Sequence, residues 1–178
     1  MEEGVLIRRG WIWLRVVGLA GAFAVVAVVL NLACGGPRPI AAPQVVDTSA
    51  LQQRVAGAAG HPLLLVFWAT WCKPCVEELP ALVGLGAESP GGLHVLAVSL
   101  DAFLSGDSTL QVVQDYLAAH PAPLDHVVYR GTQDAIFAAF GLPGNIPFAI
   151  LYDAKGQVLQ RFSGAVDPAA VRTALQAS

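Results

Sequence analysis

Two cysteines three positions apart, in Trp71-Cys72-Lys73-Pro74-Cys75, constrain this chain more than any other feature. They follow Leu63-Leu64-Leu65-Val66-Phe67-Trp68-Ala69, an unbroken apolar run rich in strand formers. Such a run reads as a strand buried on both faces. A helix is expected to open at the cysteines, where unpaired backbone N–H groups and the helix dipole favour a thiolate. Lys73 adds a positive charge beside it. The spacing lets Cys72 and Cys75 close a small disulfide ring and reopen it, so the pair can carry two electrons.

Two blander readings of a C-x-x-C are weaker here. Half of a zinc site needs two further ligands. The only other cysteine is Cys34, in an apolar leader, and His61, His94, His120 and His126 have no ligand-like spacing. Those histidines read as surface or loop residues, and neither a metal nor another cofactor is expected. A structural bridge gains most when it closes a long loop, and this one spans two residues. The redox reading is the stronger.

The N-terminus bears on compartment. Arg8, Arg9 and Arg15, interleaved with Trp11 and Trp13, precede eighteen uncharged residues from Val16 to Ala33. That length is at the lower edge of a membrane span and beyond a typical cleaved signal core. Basic residues before it place the N-terminus in the cytoplasm and the remainder outside, where disulfide exchange is routine. Ala33-Cys34-Gly35-Gly36 resembles a bacterial lipoprotein processing site, which makes Cys34 a candidate for lipidation. Arg8-Arg9-Gly10-Trp11-Ile12 loosely resembles a twin-arginine export signal. Uncleaved anchor, lipoprotein and cleaved signal all remain open from these residues.

Residues 1–34 are therefore expected to be a signal or anchor, and 35–48, with Pro37, Pro39 and Pro43, an extended linker. Residues 49–178 are expected to form one domain with its own core. Apolar residues make up 55% of the chain, a fraction the leader inflates. A net charge of −3 offers no basic surface for nucleic acid.

Along the domain, Thr48 or Ser49 is placed to cap a first helix ending near Gly60. Residues 93–100 read as a second strand, 101–107 as a polar loop, and 108–119 as a helix ended by Pro121 and Pro123. Residues 126–129 form a short strand and 133–140 an amphipathic helix. Residues 148–152 and 157–162 flank Asp153-Ala154-Lys155-Gly156, a hairpin signal. Residues 168–177 form the last helix. Pro80 is expected to kink the cysteine helix. Strands alternating with helices and a closing hairpin imply an α/β fold with a mixed central sheet flanked by helices.

These stretches together resemble the thioredoxin fold and, within it, the membrane-tethered TlpA-like group, similar to ResA and CcmG. The resemblance rests on Val66 to Cys75 with Glu78 and Pro80, on Ile146-Pro147, and on the terminal hairpin with Gly164. It covers nearly everything after the linker. It implies a protein thiol–disulfide oxidoreductase of the bacterial cell envelope, with its domain on the extracytoplasmic (periplasmic) side. Its substrates would be disulfide-containing exported proteins such as apocytochrome c, and its electrons would come from a membrane thiol donor. Cys72 would attack first and Cys75, more buried, would resolve the mixed disulfide. Trp71 would shield one side of the sulfurs, Lys73 would lower the Cys72 pKa, and Pro74 would fix the helix start. Lys-Pro between the cysteines and Ile146 before Pro147 are closer to reducing thioredoxins than to strong oxidases.

Two departures from the pattern matter. Ordinary thioredoxins have a buried aspartate where Val66 stands, so another group must move the proton of the second cysteine. Glu78, one helical turn beyond Cys75, matches an acid of the tethered group, and a desolvated carboxyl there would have a raised pKa. The bland reading of Glu77 and Glu78 is a solvated face. Around Ile146-Pro147 the loop is one residue longer than usual and Phe148 replaces a threonine. The resemblance implies a cis Ile146–Pro147 bond facing the disulfide. Two alternatives stand beside this reading: a thiol peroxidase of the peroxiredoxin kind, and a non-enzymatic copper-handling module.

Overall fold

The structure, a computed structural model, describes residues 42–88 and 92–178. The leader Val16–Ala33, the paired arginines and Cys34 lie outside the described residues.

Strand β1 (Gln44–Val46) is followed by helix α1 (Thr48–Gly57), β2 (Leu63–Trp68) and α2 (Lys73–Glu88). Next come β3 (His94–Ser99), the short α3 (Ala102–Ser105), α4 (Thr109–Ala119), β4 (Asp125–Tyr129) and α5 (Gln133–Phe140). The antiparallel pair β5 (Phe148–Tyr152) and β6 (Val158–Ser163) and helix α6 (Pro168–Gln176) complete the domain. The sheet order is β1-β4-β3-β2-β5-β6. β1, β4, β3 and β2 run parallel, and β5 and β6 run antiparallel to their neighbours. This is the thioredoxin-like α/β fold that the sequence leads one to expect.

The central strand β2 explains the arrangement. All six of its residues are at most 2% exposed. Alternation sends Leu64, Val66 and Trp68 into the core beneath the cysteine helix, and Leu63, Leu65 and Phe67 into the core on the other face. Each large side chain removed from water in this way stabilises the fold by about 1.5–3 kcal/mol. Phe67 packs against Phe140 and Phe148, with ring centroids 5.6 and 6.2 Å away.

The parallel strands bring their C-terminal ends to one edge of the sheet. Because β5 runs the other way, its N-terminal end reaches that edge too. Connections leaving the carboxyl ends of neighbouring strands make a natural crevice there. The turn after β2, the turn after β3 and the loop before β5 therefore meet.

Several expectations need correction. β1 falls inside the segment read as linker, where Gln44–Val46 pairs with Val127–Tyr129. Three residues after a proline are too few to show a strand period. Residues 101–107, read as a polar loop, contain α3 and a turn of 3-10 helix at Gly106–Ser108. Helix α1 is capped by Asp47, whose carboxylate accepts the Ala50 N–H at 2.8 Å, and not by Thr48 or Ser49. Pro80 lies inside helix α2, at the place where the kink is expected. His126, read as a surface histidine, is 3% exposed in β4, because its place in an inner strand decides its burial.

The terminal hairpin forms as expected. Asp153 Oδ1 accepts the N–H groups of Lys155 and Gln157 at 2.8 Å each. Gly156 takes φ +79°, which the turn requires and other residues resist.

Candidate redox site

A tight turn carries the chain from β2 into α2. The Cys72 N–H donates to the Ala69 carbonyl at 3.1 Å, and the Val76 N–H donates to the Cys72 carbonyl at 3.1 Å. Cys72 thus stands at the head of the helix, where the first N–H groups lack intrahelical acceptors. Pro74 has no N–H to leave unpaired, so it suits the first turn.

Cys72 and Cys75 are joined by a disulfide, with S–S 2.05 Å and Cα–Cα 5.3 Å. Cys75 is fully buried and Cys72 retains 6% exposure. The expected order holds, with Cys72 the more accessible. Its expected openness does not: most of it is enclosed, because the cysteine turn sits against the loop before β5. The Ile146 carbonyl oxygen lies 3.8 Å from Cys72 Sγ. A disulfide sulfur has no proton to give, so this contact becomes a hydrogen bond only when Cys72 is a thiol. The Ile146–Pro147 peptide is cis.

The neighbours divide. Trp71 keeps 49% of its surface exposed, leaving an aromatic face beside the cysteine turn. Lys73 was expected to act on Cys72, but its ammonium lies 3.7 Å from Glu77 and its side chain is 84% exposed. A solvated, partly compensated charge acts weakly on a neighbouring sulfur. Glu77 is the solvated acid of the pair.

Glu78 is buried, at 8% exposure, three residues after Cys75 on the same helix face. Its Oε2 accepts the Val166 N–H at 2.9 Å, and its buried Oε1 has no partner among the described residues. Burial pushes its pKa up, opposed only by the Val166 bond. An acid of this kind holds a proton more tightly than a surface carboxylate and can pass it on. Val66, where ordinary thioredoxins place an acid, lies fully buried opposite Ala149.

Three residues of the site were not foreseen. Asp101 is fully buried at the end of β3. Its carboxylate accepts the Thr70 N–H at 3.1 Å on both oxygens, the Thr70 hydroxyl at 2.5 Å and the Ser99 hydroxyl at 2.7 Å. Asp101's own N–H donates to Ser99 Oγ at 3.2 Å. An aspartate just past a strand reads as loop punctuation, and only the pattern Ser-x-Asp beside Thr-x-Cys hinted otherwise.

Trp68 and His126 lie deeper. Their ring centroids are 5.7 Å apart in an edge-on arrangement. His126 Nε2 faces the Ala122 carbonyl at 3.0 Å, so Nε2 bears the proton and Nδ1 is a bare acceptor. Burial pushes the His126 pKa down, against the Ala122 bond and the Asp125 charge, which act the other way. Among the described residues, no group of three or more His, Cys, Asp or Glu side chains could hold a metal ion.

Comparison with known proteins places this geometry. Residues 40–175 match the AhpC/TSA family. The thioredoxin-like protein YneN of Bacillus subtilis is 40% identical over 58 residues, which are 33% of this chain and 34% of YneN. The thiol-disulfide oxidoreductase ResA of Geobacillus thermodenitrificans is 29% identical over 119 residues, 66% of this chain and 63% of ResA. The chain thus spans less than two thirds of the length of these relatives. Among solved structures, the exposed lipoprotein thioredoxin Etrx1 of Streptococcus pneumoniae superposes with a TM-score of 0.59 at 19% identity. That match covers 70% of this chain and 90% of Etrx1, and it shows a common fold.

Proposed function

Because this chain belongs to the AhpC/TSA family, with a paired Cys72 and Cys75 at the head of a helix, we propose that it is a protein thiol–disulfide oxidoreductase. The observation that carries the reading is the disulfide itself, set against the loop that ends in cis Pro147 and closing only two residues of chain. The name of its relative ResA, a thiol-disulfide oxidoreductase, supports it.

In the working direction Cys72 attacks a disulfide of the partner as thiolate. One partner sulfur leaves as thiolate, and the other stays bonded to Cys72. Cys75, deprotonated by Glu78, then attacks Cys72 Sγ, which releases the second partner thiolate and closes the Cys72–Cys75 bond. Two electrons pass to the partner. Glu78, placed on the Cys75 face with its pKa raised by burial, is the proton acceptor that Val66 cannot be. Ile146 offers its backbone beside Cys72, Pro147 holds that segment, and Trp71 presents an apolar face to an incoming chain.

The domain works outside the cytoplasm, tethered through residues 1–34, and reduces exported proteins such as apocytochrome c with electrons from a membrane thiol donor. The eighteen uncharged residues behind Arg8, Arg9 and Arg15 support the export and the tether. Equilibrating the full chain against glutathione redox buffers tests the function. A potential toward the thioredoxin end of the range is expected. A strongly oxidising value reverses the direction, and failure of the pair to exchange refutes the function.

A further inference from the structure

We infer that Asp101 is the positioning residue of the disulfide site, holding through Thr70 the turn that brings Cys72 to Cys75. The inference rests on the oxidoreductase reading and extends it to a residue just past a different strand. Thr70 sits inside the turn closed by the Cys72 N–H and the Ala69 carbonyl. Both of its polar donors end on one buried carboxylate. That carboxylate is held from behind by Ser99, itself fully buried in β3. Among the described residues no cation pairs with Asp101, so the donors that satisfy its charge are those of Thr70 and Ser99. A hydrogen bond to a charged, buried acceptor is among the stronger ones a fold contains.

The consequence is thermodynamic coupling. The Asp101 contacts and the Cys72–Cys75 bond order the same turn. Whichever forms first removes part of the entropy the other must remove, so each favours the other. In the dithiol the Asp101 contacts keep Cys72 at the helix head and raise the effective concentration of one thiol at the other. Without them the turn relaxes in the dithiol but cannot relax in the disulfide. Loss of the contacts therefore disfavours the disulfide and moves the pair toward oxidising behaviour. Asp101 accordingly draws the wild-type pair toward the reducing end.

The test is the equilibrium of the full chain with reduced and oxidised glutathione. The protein S–S bond breaks, two glutathione thiols give up two electrons and two protons, and one glutathione disulfide forms. The oxidised fraction is read by thiol alkylation and mass. Asp101→Ala should lower the equilibrium constant for disulfide formation about tenfold, which is about 30 mV for this two-electron couple. Thr70→Val, which loses only the hydroxyl contact, should lower it about threefold, and Thr70→Ser should stay within about twofold of wild type. Melting should show Thr70→Val costing the oxidised protein more than the reduced one. If Asp101→Ala does not fold, Thr70→Val against Thr70→Ser decides alone. Equal equilibria in the variants and wild type, with only stability lowered, would reduce Asp101 to a structural anchor and overturn the inference. A wild-type pair that never exchanges with glutathione is a separate result, and it removes the oxidoreductase reading along with this one.

Discussion

Glu78 Oε2 accepts the backbone N–H of Val166 at 2.9 Å across 88 positions of sequence, tying the cysteine helix to the segment between the last strand and the last helix. The bond holds Glu78 in place, and the buried environment disfavours its charge. Burial raises the folded pKa above the ordinary 4.5, so the fold favours the protonated acid. The stability this contributes is fully present below 4.5 and is lost as pH rises through the folded value.

Glu78→Gln keeps an oxygen for Val166 and removes the charge. Its melting temperature should match wild type near pH 4 and exceed it increasingly as pH rises. Its second exchange step should slow at neutral pH, because Cys75 loses its proton acceptor. A melting difference independent of pH would remove the raised pKa, and an unchanged exchange rate would remove the proton role.

His126 gives the opposite slope. Its folded pKa lies below the ordinary 6.5, so the unfolded chain takes up a proton first as pH falls. Stability should decline from about pH 6.5 downward until the folded form also protonates. In His126→Gln that decline should be shallower. Urea unfolding between pH 8 and 5 measures both, and parallel curves would exclude His126 as the cause.

Cys75→Ser should accumulate mixed disulfides with partner proteins through Cys72, visible as adducts that vanish on reduction. Cys72→Ser should accumulate far fewer. The reverse pattern would make Cys75 the attacking sulfur.

Phe67→Ala removes a ring buried between Phe140 and Phe148 in the core on the face away from the cysteine helix. Cavity formation at such a site costs about 3–5 kcal/mol. The urea midpoint should fall accordingly, and the glutathione equilibrium of the variant, measured while folded, should stay close to wild type.

Cys34 separates the tethers. Cys34→Ala should leave the chain in the membrane fraction if residues 16–33 form an uncleaved span. An acylated Cys34 at the N-terminus of the mature wild-type chain, read by mass, would make the tether a lipid instead.

Much of the architecture could be read from the residues because its signals are local. The unbroken apolar run of β2, the Asp153–Gly156 turn and the 133–140 helix each advertise themselves within a few positions. The cysteine pair did so through spacing. Asp101 and His126 were misread for a common reason. A polar side chain carries no mark of whether its strand will be covered on both faces, and burial is decided by elements far along the chain. β1 was lost because three residues show no period. The pairing of Lys73 with Glu77 was not read because adjacency in sequence does not set where a long flexible side chain points.

The parts around Cys72 are spread along the chain: Asp101, just past β3, accepts from Thr70 in the cysteine turn, and Ile146 reaches the sulfur from 74 positions further on. In a polypeptide that leaves the ribosome, or crosses a membrane, N-terminus first, both thiols emerge well before Asp101 and Ile146. For that interval they are ordinary unshielded cysteines, open to mispairing with whatever thiols the compartment supplies. The pair takes its place in the finished site only after its own sulfurs have survived that passage.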